Sequence, residues 1–350
     1  MFKNHEIVLS KAADPFLTRF DDLDTYVYLR SAPGDRKIQL GLSPTLEKND
    51  LSAMKMIDID WDASKHPDCN KHIWAPEMHE VMGQLAILFT GDDGRNRSHR
   101  MHALVADDPK DPTSRFRYAG PVTTPDNQWA IDMTYFYDDR PRIAPENHAL
   151  YAIWSGWPGN NNREQHIYIA KTKRNDPFKF ESERVEIAVP EHPWERNVNR
   201  SILEGPAIAK HGGEVDLLIS SNCSWTSFYN IVGMRLKGDD PMDKSSWRKT
   251  DRPLLQTHAN IYGPGHPSVT HDKYGNLVMA YHSARSRYSG WDRVGRLCML
   301  ENDARGELYV PDYVAPLSQR TPNYAQWAVA HMALAGNVLL STAAASLVRE

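Results

Sequence analysis

Cysteine is scarce. The 350 residues hold three, Cys69, Cys223 and Cys298, with no CxxC pair among them. An odd, widely spaced set argues against a disulfide framework and a cysteine-ligated structural zinc, and leaves these thiols as small apolar packing groups. Charge of one sign is also missing: 41 Lys and Arg stand against 45 Asp and Glu, and no dense basic tract occurs, so no nucleic-acid partner is expected. No apolar run is long enough to span a bilayer, so no membrane partner is expected either. The opening "MFKNHEIVLSKAADPFL" lacks the apolar stretch of a signal peptide. The expected location is therefore the cytoplasm, or outside the cell after loss of a leader that precedes this numbering. Helical periodicity is hard to find before residue 320, and neither a WD dipeptide nor a kelch pattern recurs from unit to unit.

What is present is strand and turn. Short runs such as "TYVYLR" (25–30), "QLAILFTG" (84–91), "MHALVADD" (101–108), "ALYAIWSGW" (149–157), "HIYIAKT" (166–172), "VDLLISSN" (215–222), "NIVGMRL" (230–236) and "NLVMAYHSA" (276–284) alternate with Gly, Pro, Asn and Asp clusters. The pattern recurs at intervals of roughly fifty residues. It divides the chain near 12–65, 72–125, 130–190, 202–258 and 264–318. A recurring four-stranded unit points to propeller blades, although periodicity alone does not separate a propeller from a β-sandwich. Ten Trp and fifteen Tyr suit either large packing units or a sugar-binding surface.

The stretch "RSILEGPAIA" (200–209) carries one carboxylate, Glu204, inside an otherwise apolar run. Most such glutamates simply point out from a strand edge. One that is buried must be paired or must hold its proton, and a raised pKa is what a general acid needs at neutral pH. Two other unit openings share the feature: "AADPFLTRF" holds Asp14 and "NQWAIDMTYFY" holds Asp132. Innermost strands of a propeller converge on its axis, so three acids at equivalent places would meet in one cavity. That set fits glycoside hydrolysis by inversion, which needs a proton donor, a base and room for a water between them. A third carboxylate raises the donor's pKa through like-charge repulsion.

The blocks "ADPFL", "HIWAPEMH" (72–79), "WAIDMTYF" (129–136), "ILEGPAI" and "YGPGHPSV" (262–269) occur in the order found in glycoside hydrolase family 43, and the chain resembles that family over about residues 10 to 310. "HRMHALVA", "YAIWSGWPG", "HIYIAKT" and "EHPWE" bring it nearer the exo-acting α-L-arabinofuranosidases. The resemblance implies an all-β, five-bladed β-propeller catalytic domain over residues 1–320, with residues 321–350 packed on it as a tail. It implies release of terminal L-arabinofuranose from arabinan or arabino-oligosaccharides, with β-xylosidase and a non-catalytic glycan-binding propeller as alternatives. Block by block, Asp14 resembles the general base, Asp132 the residue that tunes the acid, and Glu204 the acid. The implied sugar-contacting set is Trp74, Trp157, Arg296, Phe16 and Ile131, with Arg293 competing for the arginine's place. Trp154 is a further wall candidate, and Glu77 is expected to fix loops. A lone His266 between Gly265 and Pro267 would ordinarily be structural. The resemblance instead sets it near the axis, beside buried water or a bound calcium or sodium ion. No cofactor is required.

Overall fold

The computed structural model describes residues 2–313 except Asn161 and residues 197–199. The expected packing of the 321–350 tail lies outside the described residues. The fold is all-β: among the described residues the single α-helix is Lys48–Ala53, joined by a few 3₁₀ turns.

The strands form successive antiparallel units. Phe16–Phe20, Thr25–Ser31, Ile38–Ser43 and Ile57–Asp58 make the first. Lys71–Val81, Gln84–Asp92, Arg100–Ala106 and Phe116–Val122 make the second. A third (Ala130–Asp138, Ala149–Gly156, Glu164–Lys173, Val185–Ala188) and a fourth (Ser201–His211, Glu214–Ser221, Asn230–Leu236, Trp247–Lys249) are bridged by a short parallel pairing of Glu164 and Gln165 with Ser201 and Ile202. In the last unit, Tyr262–His271, Leu277–Ala284 and Arg293–Met299 are completed by the N-terminal strand Ile7–Leu9, which pairs with Arg293–Met299.

That last pairing departs from the sequence division. The final unit draws its fourth strand from residues 7–9, while Glu301–Asn302 and Leu308–Tyr309 form a separate hairpin. Joining the two chain ends covers sheet edges that would otherwise be free to pair with other chains. A pairing across almost 290 residues leaves no local mark.

Local chemistry explains the rest. Val81 pairs with Gln84 across Met82-Gly83, and His211 with Glu214 across Gly212-Gly213, with positive φ at all four turn residues. Two central residues at positive φ make the type I′ hairpin whose twist matches the flanking strands. Second strands such as Gln84–Asp92 are buried along nearly their whole length. They therefore read as continuous apolar runs rather than as alternation.

The first strands of the units touch one another in cyclic order: Phe16–Phe20 meets Lys71–Val81, which meets Ala130–Asp138, then Ser201–His211, then Tyr262–His271, which returns to Phe16–Phe20. The apolar clusters follow the same circuit. Five of them lie between two neighbouring units: Val27, Leu29 and Phe89 between first and second, for example, and Val8, Tyr28 and Leu297 between last and first. Val8 is buried in that closing cluster, whereas Ile7 beside it is exposed. Val8→Asp should therefore lower stability by on the order of 2–4 kcal/mol in urea unfolding, and Ile7→Asp by less than about 0.5 kcal/mol. Equal midpoints would show that the N-terminal strand does not close the fold.

Candidate active site

The site is built from breaks in strand regularity. Register shifts interrupt the first strands between Ile131 and Thr134, between Glu204 and Ala207, and between Gly265 and Ser268. At or beside these breaks the backbone enters the left-handed region, at Asp132 (φ +58), Gly205 (+56) and His266 (+49); Asp14 (+48), just before its strand, does the same. Such bulges re-aim side chains, and the strain they carry concentrates at functional sites. Aspartate tolerates this conformation better than most residues. Any other residue at Gly205 would be strained, by its positive φ and because a Cβ there would lie 3.0 Å from Nδ1 and 3.2 Å from Cα of His266. The "EGP" turn thus removes Glu204 from ordinary strand alternation and explains a carboxylate within an apolar run.

The three acids share one environment. Asp132 is buried, and its Oδ2 accepts the Gly205 N–H at 3.1 Å. Glu204 accepts from the Tyr229 hydroxyl at 2.9 Å and keeps one edge open to solvent. Asp14 Oδ1 lies 3.3 Å from Arg293 Nη1 and 3.3 Å from His266 Nδ1. The Asp14 amide donates to His282 Nδ1 at 3.1 Å. That nitrogen must therefore be the unprotonated one, and burial holds the His282 ring neutral.

Burial pushes Asp132 well above the usual carboxylate range, with the charges of Glu204 and then Asp14 adding to it and the Gly205 N–H opposing. Burial likewise raises Glu204 to about 7, with the Tyr229 hydroxyl opposing and the charge of Asp14 adding. Asp132 and Glu204 titrate as a pair, and the pair retains a proton near neutrality. The arrangement can therefore donate a proton beside Glu204 while a carboxylate, Asp14, faces the same space.

Two tryptophans of the expected wall have aromatic partners. The Trp74 ring stacks on His99 at 4.3 Å between centroids, and its Nε1 donates to Asp35 at 3.1 Å. Trp157 is buried and stacks on Trp129 at 4.6 Å, with Ile131 in the same cluster. Trp154 is core, fully buried between units. Two expected sugar contacts are not brought to the acids. The guanidinium of Arg296 is used by Ser283 Oγ, His5 O and Asn260 O, tying the N-terminal segment to the last unit. Arg293, three residues earlier in the same strand, is the arginine on Asp14. Phe16 packs on His79 and lines an open cavity of about 320 Å³ that none of the three acids borders. Glu77 lines the same cavity and is paired with His79 at 2.9 Å.

Sequence reasoning did not find Tyr229, His282 or the group His72, Asp92 and His99. The last three are the described residues whose ligand atoms cluster closely enough to hold a metal. Each is already committed to a hydrogen bond: His72 Nδ1 to both Asp92 oxygens at 2.9 Å, His99 Nδ1 to Asn96 O at 2.8 Å, and Asp92 to the Gly94 N–H at 2.8 Å. They form a brace beneath Trp74. Lone histidines in strands carry no signal of such a partnership.

Two predictions follow from the proton on the pair. Tyr229→Phe removes a group that lowers the Glu204 pKa, so the alkaline fall in kcat/KM should move to higher pH; a shift to lower pH would refute the assignment. A carboxyl whose folded pKa is raised favours folding fully below its unfolded value and loses that benefit as pH rises through about 7. Glu204→Gln should therefore gain stability on the order of 1–2 kcal/mol at pH 8 and little at pH 4, read as Tm against pH.

No helix among the described residues is long and apolar enough to cross a membrane. Residues 5–306 match the profile of glycosyl hydrolases family 43. The extracellular exo-alpha-(1->5)-L-arabinofuranosidase of Streptomyces avermitilis is 27% identical over 276 residues, 78% of this chain and 54% of that protein, so the chain spans about half that relative's length. The protein of the same name from Streptomyces chartreusis is 26% identical over 282 residues, 79% of this chain and 81% of its own. A crystal structure of alpha-L-arabinofuranosidase from Lactobacillus brevis superposes with a TM-score of 0.76 at 23% identity, covering 91% of this chain and 98% of that one. With a matched profile running nearly the whole described length, the chain belongs to glycoside hydrolase family 43.

Proposed function

We propose that the protein is an inverting, exo-acting α-L-arabinofuranosidase that releases terminal L-arabinofuranose from arabinan or arabino-oligosaccharides, built as a five-bladed β-propeller. The cyclic contacts of the first strands, with one apolar cluster between each pair of neighbouring units, support the propeller. The names of the Streptomyces relatives support the sugar.

The observation that carries the mechanism is Glu204, raised to about 7 and next in sequence to the amide that binds Asp132, in the same environment as Asp14. In this reading Asp14, held by Arg293, takes a proton from water. That water attacks the anomeric carbon from the face opposite the leaving group. Glu204 gives its proton to the departing oxygen, and Asp132 keeps it protonated until then. Trp74, Trp157 and Ile131 wall the sugar. An ion on the axis would be held by the imidazole of His266, through a water. A calcium or sodium ion there would orient solvent and hold charge, and no step requires it.

Glu204→Ala should lower kcat on arabino-oligosaccharides by about 10²–10⁴-fold, and by much less on an aryl arabinofuranoside whose leaving group needs little help. Asp14→Ala should be slow on both. Proton NMR of the first-formed sugar should show inverted configuration; a retained product would overturn the role of Asp14 as base. Faster turnover of aryl xyloside than of aryl arabinofuranoside would select the β-xylosidase reading. Full activity in both alanine variants would remove the acids from the mechanism.

A further inference from the structure

Most tryptophans described in this protein are buried or half-buried, but Trp291 is 68% exposed, and Tyr288 in the same loop is 62% exposed. Large apolar faces held in water call for a partner. The loop does not leave them there through slackness. Arg285 and Asp292 close its base through a backbone bond (2.9 Å) and a side-chain pair (2.9 Å), and Ser289 bonds back to Ser286 within it. Trp291 meets the half-buried Trp225 of the neighbouring unit edge-on, with centroids 5.7 Å apart and planes at 62°. The Trp225 loop is equally pinned, by Thr226 to Cys223 O and by Asn222 to Phe228 O.

Both loops are tied to the reacting groups. Arg293, two residues after Trp291, bonds Asp14 with one nitrogen and the carbonyl of Ser224, next to Trp225, with another. Tyr229, which ends the Trp225 loop, holds Glu204. The aromatic ridge therefore stands at the same end of the sheets as the acids, with Trp225 on the loop that ends at the hydroxyl bound to the proton donor. The portion of the substrate that departs with Glu204's proton must leave on the donor's side.

We propose that Tyr288, Trp291 and Trp225 form an aromatic platform that binds the sugar units on the leaving-group side of the cleaved bond, a neutral pentose oligosaccharide whose C–H faces lie on the rings. This rests on the glycosidase reading above but not on which pentose is cleaved. Aromatic packing of this kind contributes enough to change affinity several-fold to tenfold.

The test compares a Tyr288→Ala/Trp291→Ala variant with the wild type on linear arabino-oligosaccharides and on the matching aryl arabinofuranoside. The ratio of kcat/KM for oligosaccharide over aryl glycoside should fall about tenfold, chiefly through KM. Trp291→Phe should restore most of it. Tyr274→Ala, an equally exposed ring in the His271–Leu277 turn at the other end of its sheet, should leave the ratio as it is. An unchanged ratio in the double variant, or an equal change in the Tyr274 variant, overturns the platform. If the wild type cleaves xylosides instead, the arabinofuranosidase reading fails, and the same ratio measured on xylo-oligosaccharide and aryl xyloside still decides the platform. Calorimetric titration of either oligosaccharide into both proteins, each also carrying Glu204→Gln to stop cleavage, gives the same answer without turnover: weaker binding by the double variant supports it, equal binding refutes it.

Discussion

The hydrogen bond from the Gly205 amide to Asp132 Oδ2 is the contact on which the site depends. It joins two units of the fold through one backbone N–H, and it exists because Gly205 takes a left-handed conformation that brings its Cα against the ring of His266. The same turn directs Glu204 away from strand alternation. One bond therefore sets which two carboxylates share a low-dielectric space. Their burial together is what keeps a proton on the pair.

Around that contact, neighbouring side chains divide the electrostatics. Arg293 and His266 stand on the Asp14 side, while Glu204 has a neutral phenol, Tyr229. Burial raises Glu204 against the opposing Tyr229 hydroxyl and Arg293 charge, as a proton donor near neutrality requires. His282 contributes as a neutral acceptor for the Asp14 amide, fixing backbone rather than charge.

The scaffold makes such closeness affordable by separating stability from chemistry. Apolar clusters fill the spaces between units, and the first strands carry the bulges. Irregular backbone is tolerated there because each first strand is still paired along its second half with a regular neighbour. The N-terminal strand closes the circuit, so residues of the last unit can reach Asp14 from the first.

The sequence alone determined the strand content, the recurring units and the three acids. Those features are local: turn dipeptides, apolar runs, and carboxylates where burial is expected. Blocks such as "WAIDMTYF" and "ILEGPAI" made the family legible. It did not separate Arg293 from Arg296, since both are arginines of one strand three residues apart. Only the tertiary structure showed that Arg296 is spent on His5 and Asn260 carbonyls, whereas Arg293 faces Asp14. Nor could it assign Phe16 to the cavity shared with Glu77, pair residues 7–9 with the last unit, or bring His72, Asp92 and His99 under Trp74. Each of these is a contact between distant segments, set by which strands become neighbours rather than by the residues beside them in the chain.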